Sequence, residues 1–286
     1  FARMQGAVMK KELWLAALLF VLVMLGGAYL WVGKPVQTLP QPVPAAPASA
    51  AIAPLESASP ASTVSAEPVT LHPIDPPPET KAMGPADIPQ ALVELMGQKA
   101  VTSFFQTDDF ARRFVATIDN LGREHAAPIL WPINPTQGRF TVEGSEGAAV
   151  IAADNSMRYT PFVLLVETVD IGRAVDLYVR AYPMLQQAYQ DLGYPKRYFN
   201  DRFIEVIDQL LSTPDAAYPV KVTLTEVKGP IPSERPWVRY QFADPEFESL
   251  SAGQKVLLRV GPVNERRLKA KLLEIRQQLV SRARAR

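Results

Sequence analysis

The residues of this sequence that are best suited to bind a charged ligand are an arginine pair and two polar groups that follow it. Guanidinium groups bind carboxylates and phosphates through paired hydrogen bonds, so Arg112 and Arg113 are candidates for contacting an anionic ligand or partner. Because positions 112 and 119 lie two turns apart on similar faces of a helix, Asp119 could instead pair internally with Arg112 or Arg158. The predicted contact residues are Arg112, Arg113, Asp119, Asn120, Asn155, Arg158 and Tyr159.

Acidic residues could support a different chemistry, the hydrolysis of a glycosidic bond by two carboxylates. Asp109 precedes a predicted helix and Asp244 precedes Pro245, and negative charge at such positions stabilises a helix start. Each acid therefore has a structural interpretation beside the catalytic one, and no catalytic residue is predicted. The carboxylates considered are Asp108, Asp109, Asp119, Asp201, Asp244, Glu246 and Glu248.

Several other site chemistries are excluded by residue type. The chain has no cysteine and two histidines, His72 and His125, so thiolate metal sites, disulfides and a cysteine nucleophile are excluded. Two distant histidines do not make a zinc site, and the sequence contains no glycine-rich phosphate loop. The segment 144–147 (GSEG) lacks the spacing of a nucleophile elbow and is interpreted as a turn. We therefore predict neither a metal ion nor a cofactor.

An uncharged apolar run over residues 13–32 (LWLAALLFVLVMLGGAYLWV) predicts one transmembrane helix. Its length corresponds to about 30 Å of helix, the thickness of the hydrocarbon core of a bilayer. Lys10 and Lys11 precede the run, so residues 1–12 are expected in the cytoplasm and the rest of the chain outside it. The alternative, a cleaved signal peptide, usually has a shorter apolar region. We expect the lipid bilayer to contact the chain from Leu13 to Val32.

Composition divides the remainder into three parts. Residues 33–87 hold many of the 27 prolines and are rich in alanine, which predicts a disordered linker. Residues 88–280 carry the helical and strand patterns of a globular domain. Residues 281–286 (SRARAR) form a basic tail, which could touch phosphate or remain a solvated helix end.

The domain is dominated by helical spacing of apolar residues. Phe110, Phe114, Ile118 and Leu121 mark one helix, and Val175, Tyr178, Tyr182, Leu185, Tyr189 and Leu192 mark a longer one. Further helices are predicted over 88–95, 162–169, 200–211, 244–260 and 263–280. Strands are predicted over 139–143, 220–227 and 237–242, the last two as an antiparallel pair. These patterns predict an α+β fold that is mainly α, with six to eight helices and a small antiparallel sheet.

Four segments of the domain are similar to a known family. They are residues 112–124 (RRFVATIDNLGRE), 155–163 (NSMRYTPFV), 182–214 (YPMLQQAYQDLGYPKRYFNDRFIEVIDQLLSTP) and 238–264 (VRYQFADPEFESLSAGQKVLLRVGPVN). Together they resemble the bacterial envelope family known as domain of unknown function 3014 (DUF3014), over about residues 88–280. The resemblance implies an N-terminal membrane segment and a Pro/Ala-rich linker, and it implies no activity or substrate.

The sequence thus predicts a single-pass protein of the bacterial inner membrane with a periplasmic C-terminal domain. The missing catalytic set favours a non-enzymatic binding or scaffold module whose partner is an envelope protein or the cell wall. The alternative is a peptidoglycan- or glycan-acting hydrolase that uses a carboxylate pair. No nucleic-acid partner is expected, because nucleic acid is scarce outside the cytoplasm.

Overall fold

The computed structural model describes residues 70–74, 83–145, 147–225 and 235–284. The predicted transmembrane helix at residues 13–32 and most of the predicted linker lie outside these residues. Within the part of the chain that is described, no helix combines the length and the apolar character needed to cross a bilayer. The fold is mainly helical with a small antiparallel sheet component, as the sequence predicts.

The described residues form nine α-helices and four short strands. The helices are α1 (Ile88–Met96), α2 (Gln98–Phe104), α3 (Phe110–Leu121), α4 (Thr160–Glu167), α5 (Ile171–Asp191), α6 (Phe199–Leu211), α7 (Pro245–Glu248), α8 (Ala252–Arg259) and α9 (Pro262–Arg284). The strands are β1 (Val142–Glu143), β2 (Val150–Ile151), β3 (Val222–Leu224) and β4 (Tyr240–Phe242). Four 3-10 helices cover Pro85–Asp87, Pro128–Leu130, Ala153–Arg158 and Pro236–Val238.

The core forms where α3, α5, α6 and α9 pack against one another. All four apolar residues that predicted α3 are buried, which confirms that helix and its inward face. In α5, five of the six predicted residues are buried, and the sixth, Leu192, is the partly exposed C-cap. The helix ends before Gly193, whose φ of +105° lies in the left-handed region that glycine adopts without strain.

The strands form two hairpin-like pairs that are joined side by side. β3 and β4 pair antiparallel, with Val222 opposite Phe242, which confirms the predicted pair. β1 pairs with β2, which is a strand of two residues that the sequence did not predict. The amide of Ile151 donates to the carbonyl of Val220 at 2.9 Å and connects the pairs.

The predicted helix over 244–260 is wrong in one respect, because it is two helices. Asp244 caps α7 as predicted, since its carboxylate accepts from the amide of Glu246 at 2.9 Å. Ser251 then starts α8 with a capping box, in which it and Gln254 each bind the other's backbone amide. α8 is buried on all sides, and Gly253 allows this because an added Cβ would lie 2.5 Å from Leu210.

Ordered contacts extend past both predicted ends of the domain. Residues 70–74 and 83–87 lie within the predicted linker, yet Ile74 is buried in the main core and Met83 packs against it. α9 continues to Arg284, beyond the predicted end at residue 280. The described domain therefore begins before residue 88, and part of the predicted basic tail is helical.

Candidate functional site

The arginine pair does not form a common site with Asp119. Arg112 is exposed and its Nε pairs with the carboxylate of Asp109, one turn earlier. Arg113 points to a different place, where its Nη1 donates to the carbonyl of Ile129 at 2.7 Å. Asn120 is half-buried, and its carbonyl accepts a backbone hydrogen bond at the end of α3. The two arginines thus hold the start of α3 and the following loop.

Asp119 is a buried carboxylate with three side-chain donors. Arg202 Nε lies 3.0 Å from its Oδ1, while Arg123 Nη2 and the Tyr194 hydroxyl lie 2.5 and 3.1 Å from its Oδ2. Asp119 is thus paired within the fold, but with Arg202 and Arg123 and not with Arg112, which the sequence offers as a partner. Arg202 comes from α6, so this network ties α3 to α6 and to the segment between α5 and α6.

Arg158 holds a loop and does not pair with Asp119, which corrects the other predicted pairing. All five of its hydrogen-bond acceptors are neutral: Thr136 Oγ1, Gln137 O, Gly138 O, Asn155 Oδ1 and Tyr159 Oη. Asn155 is fully buried and also donates to the carbonyl of Arg259 at 3.2 Å. Burial raises the pKa of the Tyr159 hydroxyl, with the nearby charges of Arg158 and Arg259 opposing the shift. Asn155, Arg158 and Tyr159 do come together, as a support for residues 136–138.

Most of the acids considered for hydrolysis have structural contacts. Glu248 accepts from a β4 amide at 2.8 Å and from Lys255 Nζ at 3.2 Å. Asp244 caps α7, whereas Asp108 and Glu246 are exposed. Among the described residues, no group of three histidine or acidic side chains is placed to hold a metal ion.

Arg112 borders a shallow groove between the start of α3 and the second half of α5. The groove has a volume of about 310 Å³. Its lining combines apolar residues such as Phe110 and Met184 with the charged Asp109, Arg112 and Asp191. One predicted contact residue, Arg112, thus faces an open surface feature of the described domain.

A short segment upstream of the domain, residues 70–74, is bound by the N-terminal end of α6. Asp201 accepts two consecutive backbone amides, Leu71 N at 3.0 Å on Oδ2 and His72 N at 2.7 Å on Oδ1. We call residues 70–74 the strap, and we call Tyr198, Asn200 and Asp201, which bind it, the dock. One of the acids considered for catalysis is thus used to bind a peptide segment of this chain.

The other two residues of the dock also bind strap backbone. Asn200 Nδ2 donates to the carbonyl of His72 at 2.9 Å. The Tyr198 hydroxyl accepts from Ile74 N at 2.6 Å and donates to Ile74 O at 2.7 Å. Ile74 is 4% exposed, while Leu71 is 70% exposed. The dock therefore recognises backbone groups at defined positions together with one apolar side chain.

The dock residues are held in place by tyrosines of α5. The Tyr178 hydroxyl donates to Asn200 Oδ1 at 3.0 Å, and the backbone amide of Asn200 donates to the Tyr182 hydroxyl at 3.2 Å. The rings of Tyr182 and Tyr198 lie 5.3 Å apart. Burial raises the pKa of both α5 tyrosines, so these groups remain neutral hydroxyls. These contacts do not involve the strap, so they fix the dock independently of it.

The strap contributes little net free energy. Each hydrogen bond contributes roughly 0.5–1.5 kcal/mol net, somewhat more at a carboxylate, and burial of Ile74 adds about 1.5–3 kcal/mol. Fixing each residue of the strap costs about 1–2 kcal/mol in backbone entropy. His72 Nδ1 is buried without a hydrogen-bond partner, 3.4 Å from Asp201 Oδ1. These opposing contributions are similar in size, so we expect docking of the strap to be only marginally stable.

Sequence reasoning missed the strap and two of the three dock residues. The sequence indicates Asp201 only as a possible catalytic acid, and residues 70–74 fall within the predicted disordered linker. The available signal was the pair Leu71 and Ile74 around His-Pro in an otherwise Pro/Ala-rich region. That signal does not identify a binding partner more than 120 residues away.

The described residues form a mainly helical domain in which the dock contacts the strap of the same chain. A family model described as a protein of unknown function (DUF3014) matches residues 110–276, and the chain belongs to this family. The matched region includes the dock but not the strap. No curated protein and no solved structure matches the chain.

Proposed function

We propose that this chain is a single-pass protein of the bacterial inner membrane whose periplasmic domain is a non-enzymatic binding or scaffold module. The main support is that two of the acids considered for catalysis, Asp119 and Asp201, are engaged in contacts within the domain. Asp119 is bound by two arginines and a tyrosine, and Asp201 binds two amides of the strap. A hydrolase needs one carboxyl group that donates a proton and one that stays available to water or to the sugar.

The membrane location rests on the sequence. The apolar run at residues 13–32 is long enough to span a bilayer, and two lysines precede it. A long Pro/Ala-rich segment then separates this run from the domain. A module of this kind acts by holding a partner near the membrane.

The topology is tested with a reporter enzyme that is active only outside the cytoplasm. Fused after Arg286, the reporter should be active, and fused after Lys11, it should be inactive. Activity of both fusions or of neither would contradict the proposed orientation.

The binding role is tested in intact cells with a photo-crosslinking amino acid at exposed positions on different helices. Suitable positions are Arg112 on α3, Glu246 on α7 and Leu273 on α9. A binding module gives an adduct of discrete mass at one of these positions and not at the others. Release of sugar fragments from purified peptidoglycan by the full chain, abolished by Asp119→Asn or Asp201→Asn in variants that keep the circular dichroism of the wild type, would favour the hydrolase instead.

A further inference from the structure

We infer that the dock is an exchangeable peptide-binding site, which holds the strap as an internal ligand and accepts the same segment from a second copy of this chain. The ligand is a short irregular peptide with the chemistry of residues 70–74. This inference goes beyond the proposed function, because it depends only on the contacts of the dock and not on where the domain is located.

The pattern of hydrogen bonds defines the ligand. The dock binds the amides at positions 71, 72 and 74 and the carbonyls at positions 72 and 74. Position 73 is proline, which has no amide hydrogen to leave unsatisfied. The dock therefore recognises the backbone groups of the peptide and the buried side chain of Ile74. Proline fits position 73, because no dock residue binds an amide at that position.

The geometry also favours exchange over permanent attachment. Asn200 is held by Tyr178 and Tyr182 of α5, so the dock keeps its orientation when the strap leaves. Ile74 is the one side chain of the strap that is buried, and Leu71 is largely exposed. Release of the strap therefore uncovers one apolar side chain and leaves the helical core in place.

The test uses the full chain and a labelled synthetic peptide of residues 68–76 (PVTLHPIDP) in a fluorescence anisotropy titration. Ile74→Asp in the chain places a charge in the apolar pocket and so removes its own strap from the dock. We expect the peptide to bind this variant about two- to sixfold more tightly than the wild-type chain, in which the marginally stable strap competes for the dock.

Matched variants test whether binding occurs at the dock. Asp201→Asn, added to the Ile74→Asp chain, should weaken peptide binding at least tenfold. One of the two carboxylate oxygens that accept backbone N–H groups becomes an NH2 group, which cannot accept a hydrogen bond. In the peptide, Ile74→Asp should abolish binding, whereas Leu71→Ala should have little effect, since Leu71 is exposed. Equal binding to the wild-type and Ile74→Asp chains would overturn the inference, as would no binding to an Ile74→Asp chain whose circular dichroism is that of the wild type.

A second measurement does not depend on the folding of a variant. Unlabelled peptide is added in excess to the wild-type chain, and hydrogen exchange is followed at the amides of Leu71 and His72. Binding of the added peptide to the dock displaces the internal strap, so hydrogen exchange at both amides should become faster as the peptide concentration rises. Unchanged exchange rates up to millimolar peptide would overturn the inference.

Discussion

Replacement of Ile74 by alanine distinguishes a strap that docks loosely on the folded helices from a strap that is an integral part of the core. Ile74 is 4% exposed. Replacing an isoleucine buried to this degree in a core with alanine lowers the free energy of unfolding by about 2–5 kcal/mol. In the strap, however, the loss cannot exceed the free energy of docking, because the strap can leave while the helices stay folded. Since the contacts of the strap nearly balance the entropy of ordering it, we expect Ile74→Ala to lower the free energy of unfolding by less than about 1 kcal/mol.

The matched control is Ile207→Ala, an isoleucine in α6 with 0% exposure. Urea denaturation of the full chain, followed by far-UV circular dichroism, should show a loss of about 2–5 kcal/mol for this variant. Hydrogen exchange at Leu71 and His72 should accelerate in Ile74→Ala and stay unchanged at core amides. An Ile74→Ala loss as large as that of Ile207→Ala would refute the reasoning, because it would show that the strap unfolds only together with the core.

Three further predictions concern the described domain. Asp119→Ala should lower the free energy of unfolding by about 3–5 kcal/mol in urea denaturation, because the half-buried guanidinium of Arg202 loses its buried carboxylate; a loss below about 1 kcal/mol would show that Glu205 is a sufficient partner. Gly253→Ala should cost about 1–3 kcal/mol, because the new Cβ would lie 2.5 Å from a side-chain carbon of Leu210; a rise in stability would show that α8 can shift away. Burial raises the pKa of Tyr189 to about 12 from an ordinary value of 10.0, so the folded chain holds this proton more tightly than the unfolded chain. Its stabilising contribution is complete below pH 10 and is lost as the pH rises toward 12. The melting temperature of the wild type should therefore fall more steeply over this pH range than that of Tyr189→Phe. Equal slopes for the two proteins would contradict this prediction.

Elements with a long, regular apolar repeat were predictable from the sequence. α3 and α5 each bury one face against the core, and burial of one face produces a helical period in the sequence. The antiparallel pair β3–β4 was predictable because its residues are β-branched and aromatic. By contrast, β2 has two residues, which is too short to show an alternation.

Two other features were missed for different physical reasons. The break between α7 and α8 is set by the capping box of Ser251 and Gln254, a local signal that was outweighed by apolar residues on both sides. The dock arises from contacts between side chains and backbone across more than 120 residues, and such contacts leave no periodicity. Among the predicted contact residues, Asn155, Arg158 and Tyr159 lie together because they are close in sequence. The partners of Asp119 depend on the approach of α6, which the sequence does not show.

The strap also determines where the upstream chain leaves the domain. With the strap docked, a force applied from the N-terminal side reaches the domain at the start of α6, through Asp201, before it reaches α1. Undocking would free residues 70–74, which span at most about 18 Å when fully extended. Because no helix has to unfold for this, we expect a pulled chain to release the strap in a step of its own before the helices unfold.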